Sequence, residues 1–108
     1  MNYKDILEEK INNLILNKWT VPEFEKEYYT YFLEQVHEES LTLPQSTFYG
    51  LVQEKLDWTS VNPSEEEKKD GWFNYDEYVE WLKSNNEDFL NDEDEWYKNY
   101  TKNFKRPI

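Results

Sequence analysis

The stretch TVPEFEKEYYTYFLEQVHE, residues 20–38, decides the fold of this chain. Thr20 stands three residues before Glu23, with Pro22 between them, which is the pattern of a capping box with a proline in the first helical turn. Apolar side chains then recur at helical spacing; they are Phe24, Tyr28, Phe32 and Val36. The stretch therefore predicts a helix from Val21 to Glu38.

The same predicted helix carries an acidic stripe beside the aromatic one. Its members are Glu23, Glu27, Glu34 and Glu38. At about 100° per residue these four side chains fall within roughly 60° of arc. A row of charges on a helix is most often a solvated face. Glu34 and Glu38 are nevertheless candidate partner-binding residues, because they would present charge on one side of the domain.

Four more segments show the helical period. They run from Tyr3 to Asn17, from Gln45 to Trp58, from Asn74 through Leu82 and from Asp92 to Phe104. Trp96, Tyr97, Tyr100 and Phe104 would form the buried face of the last one. No segment alternates with a period of two.

The remaining stretches are predicted to connect these helices. Ser40 to Pro44 is a connector, because a proline disfavours helix at the residue before it. Thr59 to Gly71 loses periodicity and is predicted to be a surface loop. The predicted fold is all-α, a small single-domain bundle of four or five helices over residues 1–108, in which residues 91–108 supply the extra C-terminal helix.

The composition combines acidic charge with many aromatic residues. The chain has 24 Asp and Glu against 12 Lys and Arg, a net charge of -12, and 19% aromatic residues. A disordered acidic segment would be poor in aromatics, so these residues indicate a folded core under a negative surface. Phosphate binding needs clustered Lys and Arg, so we expect a basic protein partner and no direct nucleic-acid contact. The alternative is that the charge only keeps a small protein soluble.

The sequence offers few groups for catalysis. His37 is the only histidine and there is no cysteine, so His-dependent and thiolate chemistry are not expected. With only Gly50 and Gly71 there is no glycine-rich phosphate loop, and the acidic run 91–95 lacks the glycine of a calcium loop. We expect no catalytic residue, cofactor or metal. A small acid–base enzyme is the weakest hypothesis, since paired carboxylates need a cleft.

The first ten residues bear on location. They include Asp5, Glu8 and Glu9 and lack the basic end and apolar run of a signal peptide. No later stretch has the length and apolarity of a membrane span. The expected protein is a cytoplasmic monomer without membrane contact.

Two of the five tryptophans are candidate partner contacts. Trp58 lies beside Asp57 at the predicted end of a helix, and Trp72 follows Gly71 in the predicted loop. Tryptophan is strongly enriched at the energetic centres of protein interfaces. The alternative is burial in the core, which is the expectation for Trp19, Trp81 and Trp96.

Three stretches of the chain carry a family resemblance. Residues 14–24, LILNKWTVPEF, contain the end of one helix, a Lys-x-Thr turn and the Phe of a second helix. Residues 51–58 end the third predicted helix, Pro63 follows in the loop, and the acidic run 75–80 leads to Leu82. Together they resemble the immunity proteins of the colicin D type, a bacterial self-protection family, over roughly residues 6–90.

The resemblance implies a four-helix fold and a role in inhibition. Members of that family are not enzymes; each binds a cognate ribonuclease toxin, typically one that cuts transfer RNA, and covers the basic active site with acidic residues. Their acidic contacts lie near the end of the third helix and in the loop after it. Asp57 stands at the position of the acidic contact near the end of the third helix. The acidic contact in the following loop would fall near Asn62, which is not acidic. Glu65, Glu66 and Glu67 are the residues that would replace this loop contact.

The leading hypothesis is therefore an immunity protein that binds and neutralises a basic toxin, with a nuclease as the expected toxin class. The alternative is an acidic nucleic-acid mimic that inhibits a defence nuclease, or a generic acidic adaptor. A toxin-domain gene immediately upstream would favour the first, and a phage-like gene neighbourhood the second.

Overall fold

The computed structural model describes residues 2–103, apart from the side chains of Glu38 and Asn103. Over that range the chain is all-α, as the sequence predicts, with six α-helices and one 3-10 turn. They are α1 (Tyr3–Ile15), α2 (Val21–Glu34), the 3-10 turn (Glu38–Ser40), α3 (Leu43–Asp57), α4 (Glu65–Lys69), α5 (Tyr75–Asn91) and α6 (Glu93–Asn103). None of these helices is both long and apolar enough to cross a bilayer.

Local sequence signals start most of these helices. In α2 the backbone N–H of Glu23 donates to Thr20 Oγ1 at 3.3 Å, and the Thr20 N–H donates to Glu23 Oε1 at 3.1 Å. This reciprocal pair satisfies two N–H groups that have no partner within the helix. The same capping box opens α3, α4 and α5, at Thr42–Gln45, Ser64–Glu67 and Asn74–Glu77.

The predicted end of α2 is wrong by four residues. The helix ends at Glu34, and Glu38 begins the separate 3-10 turn. No proline or glycine marks this end in the sequence. Instead the chain bends so that Val36 and Leu41 both pack against the edge of the core. Because Glu38 has left the helix, the predicted stripe of four glutamates on one helical face does not form.

Two predicted connectors contain helix. Pro44 lies in the first turn of α3, which therefore begins at Leu43 and not at Gln45. A proline is tolerated there because its missing N–H would have no helical partner in any case. The predicted loop after α3 contains the five-residue helix α4. Its capping box at Ser64 and Glu67 is visible in the sequence, and α4 explains why the structure has one helix more than predicted.

The core forms around α3, which packs against α2, α5 and α6, while α1 packs against α2 and α5. The ring of Phe48 stacks on that of Phe89 with 4.3 Å between centroids, and Trp96 meets Phe48 edge-on at 5.1 Å. The C-terminal helix α6 is thus part of the core through Trp96. Tyr97 and Tyr100 are partly buried beside it. Phe104, also predicted to be buried, lies outside the described residues.

Two buried tyrosines tie neighbouring helices to the backbone of α3. The Tyr28 hydroxyl donates to the carbonyl oxygen of Tyr49 at 2.8 Å, and the Tyr78 hydroxyl donates to that of Val52 at 2.9 Å. Burial raises the pKa of both phenols well above the ordinary value. Both rings therefore fill the core with their polar ends satisfied.

Candidate functional site

The candidate site is the connector between α3 and α5, residues 58–74. Its two ends are joined by a single parallel bridge between Thr59 and Phe73. The Phe73 N–H donates to the Trp58 carbonyl at 3.0 Å, and the Ser60 N–H donates to the Phe73 carbonyl at 3.0 Å. The connector is therefore a loop that contains α4 and whose two ends are joined by backbone hydrogen bonds.

A tight turn after α4 returns the chain to the end of α3. Gly71 has a φ of +99°, a backbone conformation that only glycine adopts readily. The following Trp72 N–H donates to the carbonyl of Glu67 at 3.0 Å. This turn directs the side chain of Trp72 back toward Trp58.

Trp58 and Trp72 contact each other, and we call the pair the tryptophan platform. Their ring centroids are 5.5 Å apart and their planes make an angle of 65°, an edge-to-face contact. Trp58, the C-cap residue of α3, is 45% exposed, whereas Trp72 is half-buried. By contrast Trp96 is buried, and Trp19 and Trp81 pack against the core. The structure thus separates the two candidate tryptophans from the three expected core tryptophans.

Three of the exposed carboxylates on α3 and α4 are predicted binding residues. Asp57 is the last residue of α3, next to Trp58, and Glu65 and Glu66 are in the first turn of α4. Glu67 differs from them because it is half-buried and accepts the N–H of Ser64 at 2.8 Å. Its carboxylate therefore serves to cap α4.

The other predicted binding residues belong to other elements of the chain. Glu34 is exposed at the end of α2, and Glu38 begins the 3-10 turn. These elements precede α3, whereas the connector follows it. His37 is exposed, with its ring in edge contact with Tyr3.

Lys4, Lys10, Lys55 and Lys68 make ion pairs or ring contacts within the protein. Among residues 2–103 the structure has two ion pairs, Lys4–Glu93 and Lys68–Glu77. Other lysine ammonium groups lie over aromatic rings, Lys10 over Trp19 and Tyr31 and Lys55 over Phe73, at 5.2 to 5.8 Å from the centroids. These contacts leave most of the acidic side chains of the described chain without a cationic neighbour.

The ion pair between Lys68 and Glu77 connects α4 to α5 at 3.0 Å. The pKa of Glu77 is lowered, first by the hydrogen bond from the Asn74 backbone N–H and then by Lys68. Together with the bridge at Phe73, this contact fixes the position of α4.

A second group of polar side chains joins α1, α3 and α5 inside the bundle. The Tyr49 hydroxyl donates to Glu8 Oε2 at 2.6 Å, and the Asn86 amide lies beside the same carboxyl. Glu8 Oε1 and Asn86 Oδ1 are both buried and accept no hydrogen bond from the described residues. Sequence reasoning missed this cluster because its members are far apart in the chain and carry no shared motif.

Burial raises the pKa of Glu8 above its ordinary value of 4.5, and the bonds from Tyr49 and Asn86 and the charge of Lys4 offset only part of the rise. The folded protein therefore holds this proton more tightly than the unfolded chain does. Glu8 contributes stability that is fully present below a pH of about 4.5 and is lost as the pH rises through the folded-state pKa.

We expect the variant Glu8→Gln to gain stability relative to the natural protein as the pH rises from 4.5 toward 7, because glutamine cannot ionise. Urea unfolding at a series of pH values measures the difference. Glu9→Gln is the matched control, since Glu9 is exposed on the same helix and loses the same charge. Identical pH profiles for the two variants would contradict the burial effect at Glu8.

Other surface features are less specific. A cleft of about 490 Å³ between α5 and α6 is lined by residues that include Asp88, Asp92 and Glu95. Within the described part of the chain, no group of three or more His, Asp or Glu side chains could hold a metal ion. A second cleft, near the end of α2, is apolar, and Leu33 is exposed there. Neither cleft brings together predicted binding residues.

No family model, curated protein or solved structure matches this chain. The class that the structure defines is a small acidic all-α domain in which a half-buried tryptophan, Trp72, packs against an exposed one, Trp58.

Proposed function

We propose that this protein is an immunity protein that binds a basic bacterial toxin, of the nuclease class, and neutralises it by covering its active site. One observation carries the proposal: Trp58 is 45% exposed, is in ring contact with Trp72, and directly follows the exposed Asp57. An exposed tryptophan fixed in position is the kind of side chain that dominates binding energy in protein interfaces.

The surrounding charge supports the same partner. A net charge of -12 on 108 residues creates a field that attracts a basic protein and repels nucleic acid. Asp57, Glu65 and Glu66 would take the positions that substrate phosphates occupy in the toxin, opposite its Lys and Arg side chains. Because Asp57 adjoins Trp58 and the other two lie in the same connector, one docking event would bury the tryptophans and pair the charges.

The resemblance to the colicin D type of immunity proteins supports this orientation. In that family the acidic contacts lie at the end of the third helix and in the loop after it. Here the same region holds Asp57, Trp58 and α4. The backbone of this region is also constrained by the bridge and the turn, which reduces the entropy lost on docking.

The direct test is capture. The tagged protein should retain the product of the neighbouring toxin-domain gene from cells that express both, and it should inhibit the purified toxin domain at one-to-one stoichiometry. A toxin domain that is neither retained nor inhibited would overturn the proposal. Retention of a broad set of DNA-binding proteins would instead favour the nucleic-acid mimic. The observation that supports this alternative is that most acidic side chains among the described residues form no ion pair.

We expect the rate of association with the toxin to fall by on the order of tenfold or more between low and high salt. Exposed charges are screened over a Debye length of about 8 Å at physiological ionic strength, so the long-range attraction is lost first. Stopped-flow mixing that follows tryptophan fluorescence measures the rate. The dissociation rate should change less, since buried aromatic contacts depend little on salt. An association rate that is independent of salt would contradict electrostatic steering.

A further inference from the structure

The protein covers several aromatic rings with its own cations. Lysine ammonium groups lie within 6 Å of the ring centroids of Phe89, Trp19, Tyr31 and Phe73. This is the separation at which a cation is attracted by the negative face of a ring. The pattern shows that cation–π contacts form readily in this fold.

The tryptophan platform is different. Within residues 2–103, no lysine or arginine lies over Trp58 or Trp72. The nearest lysine on α3 is Lys55, one turn before Trp58, and it lies over Phe73 at 5.6 Å from the centroid. Tryptophan has the strongest quadrupole of the aromatic side chains, so the best cation acceptor on this surface has no cation from the described chain.

We propose that Trp58 receives an arginine side chain of the basic partner, with the guanidinium flat on the exposed face of the indole. The edge contact with Trp72 at 5.5 Å fixes the ring, and the bridge between Thr59 and Phe73 fixes the backbone beneath it. Asp57, which is exposed next to Trp58, supplies a carboxylate for the same guanidinium. Arginine fits better than lysine because its planar, weakly hydrated group stacks on an aromatic face.

This inference rests on the proposed function only for the identity of the partner. The site itself can be tested with a defined probe, hexa-arginine, and with hexa-citrulline as the control. Citrulline keeps the length and planarity of arginine and lacks its charge. Titrations of the protein with each peptide would be followed by NMR through the indole N–H signals of the tryptophans. We expect hexa-arginine to shift the signals of Trp58 and Trp72 most, and hexa-citrulline to shift neither.

The variants Trp58→Phe and Trp58→Leu separate ring electrostatics from apolar contact. Both leave every acidic residue in place, so the general attraction to the peptide is unchanged. We expect affinity for hexa-arginine to follow the order Trp, Phe, Leu, with a total loss of about two- to fivefold for leucine. Val61→Ala is the matched control, because Val61 is 75% exposed in the same connector and has no ring. It should bind like the natural protein.

Equal affinities for the natural protein and the Trp58→Leu variant would overturn the arginine site, and so would binding of hexa-citrulline as tight as that of hexa-arginine. Circular dichroism and thermal unfolding check that each variant is folded, and Trp58→Phe preserves the test if leucine disturbs the end of α3. Toxin capture reports separately on the proposed function. Capture without peptide binding at Trp58 would remove only the arginine site, whereas peptide binding without capture would remove only the immunity function.

Discussion

Reversing Asp57, Glu65 and Glu66 together to lysine is expected to abolish protection against the cognate toxin. Each substitution would place a cation opposite a cation of the basic active site, and like charges facing each other across an interface cost several kcal/mol. Affinity should fall by at least roughly a hundredfold. Survival of cells that express the toxin, together with titration calorimetry, measures the loss. All three side chains are exposed, so each should change the free energy of unfolding by no more than about 0.5 kcal/mol.

The choice of residues follows from the structure. Glu67 is left unchanged because its carboxylate caps α4, and loss of such a cap costs about 1 kcal/mol of folding stability. The matched control is the triple reversal of Glu25, Glu27 and Glu34 to lysine, all exposed on α2, which changes the net charge equally.

The control variant should retain most of its protection if the connector is the docking face. Loss of protection in the control and not in the connector variant would place the docking face on α2. Full protection by both variants, with folding confirmed, would mean that the acidic surface serves solubility alone. The proposed function would then be wrong.

Replacing Phe24 with alanine is expected to lower the free energy of unfolding by about 3–5 kcal/mol. The ring is fully buried and contacts Tyr28 on its own helix at 5.1 Å and Tyr78 of α5 at 6.5 Å between centroids. Its removal loses both the transfer free energy of the ring and the packing around the cavity left behind. Because domains of this size are stable by only about 5–15 kcal/mol, the variant should be close to unfolding at physiological temperature.

Thermal and urea unfolding followed by circular dichroism would measure this change. Tyr29→Ala is the matched control, because Tyr29 is an aromatic residue on the same helix that is 48% exposed. Its effect should be within about 0.5 kcal/mol. A similar small effect for Phe24→Ala would show that α2 does not pack as the structure has it.

The two experiments separate folding from function on one small domain. Charge reversal in the connector should remove protection and keep stability, whereas truncation at Phe24 should reduce stability. Protection in the Phe24 variant should fall only as far as the folded fraction falls, since Phe24 lies in the core and not on the connector.

The sequence by itself determined the helices and where most of them begin. Thr20 and Glu23 are three residues apart, and their side chains bond each other's backbone, so the start of α2 needs no other part of the chain. The same local rule places the start of α5 at Asn74 and Glu77. The capping boxes at Thr42 and Ser64 specify the starts of α3 and α4 in the same local way, within stretches that the proline and the loss of periodicity mark as a connector and a loop.

The tertiary structure alone decided the end of α2, the contact between Trp58 and Trp72, and the buried cluster around Glu8. The end of α2 depends on where Val36 and Leu41 meet the core. The platform depends on a bridge between residues fourteen positions apart, Thr59 and Phe73, and the cluster joins Glu8 to Tyr49 across 41 positions. Helical period and capping act within one or two turns, so they cannot specify which distant side chains come to share one surface or one buried site.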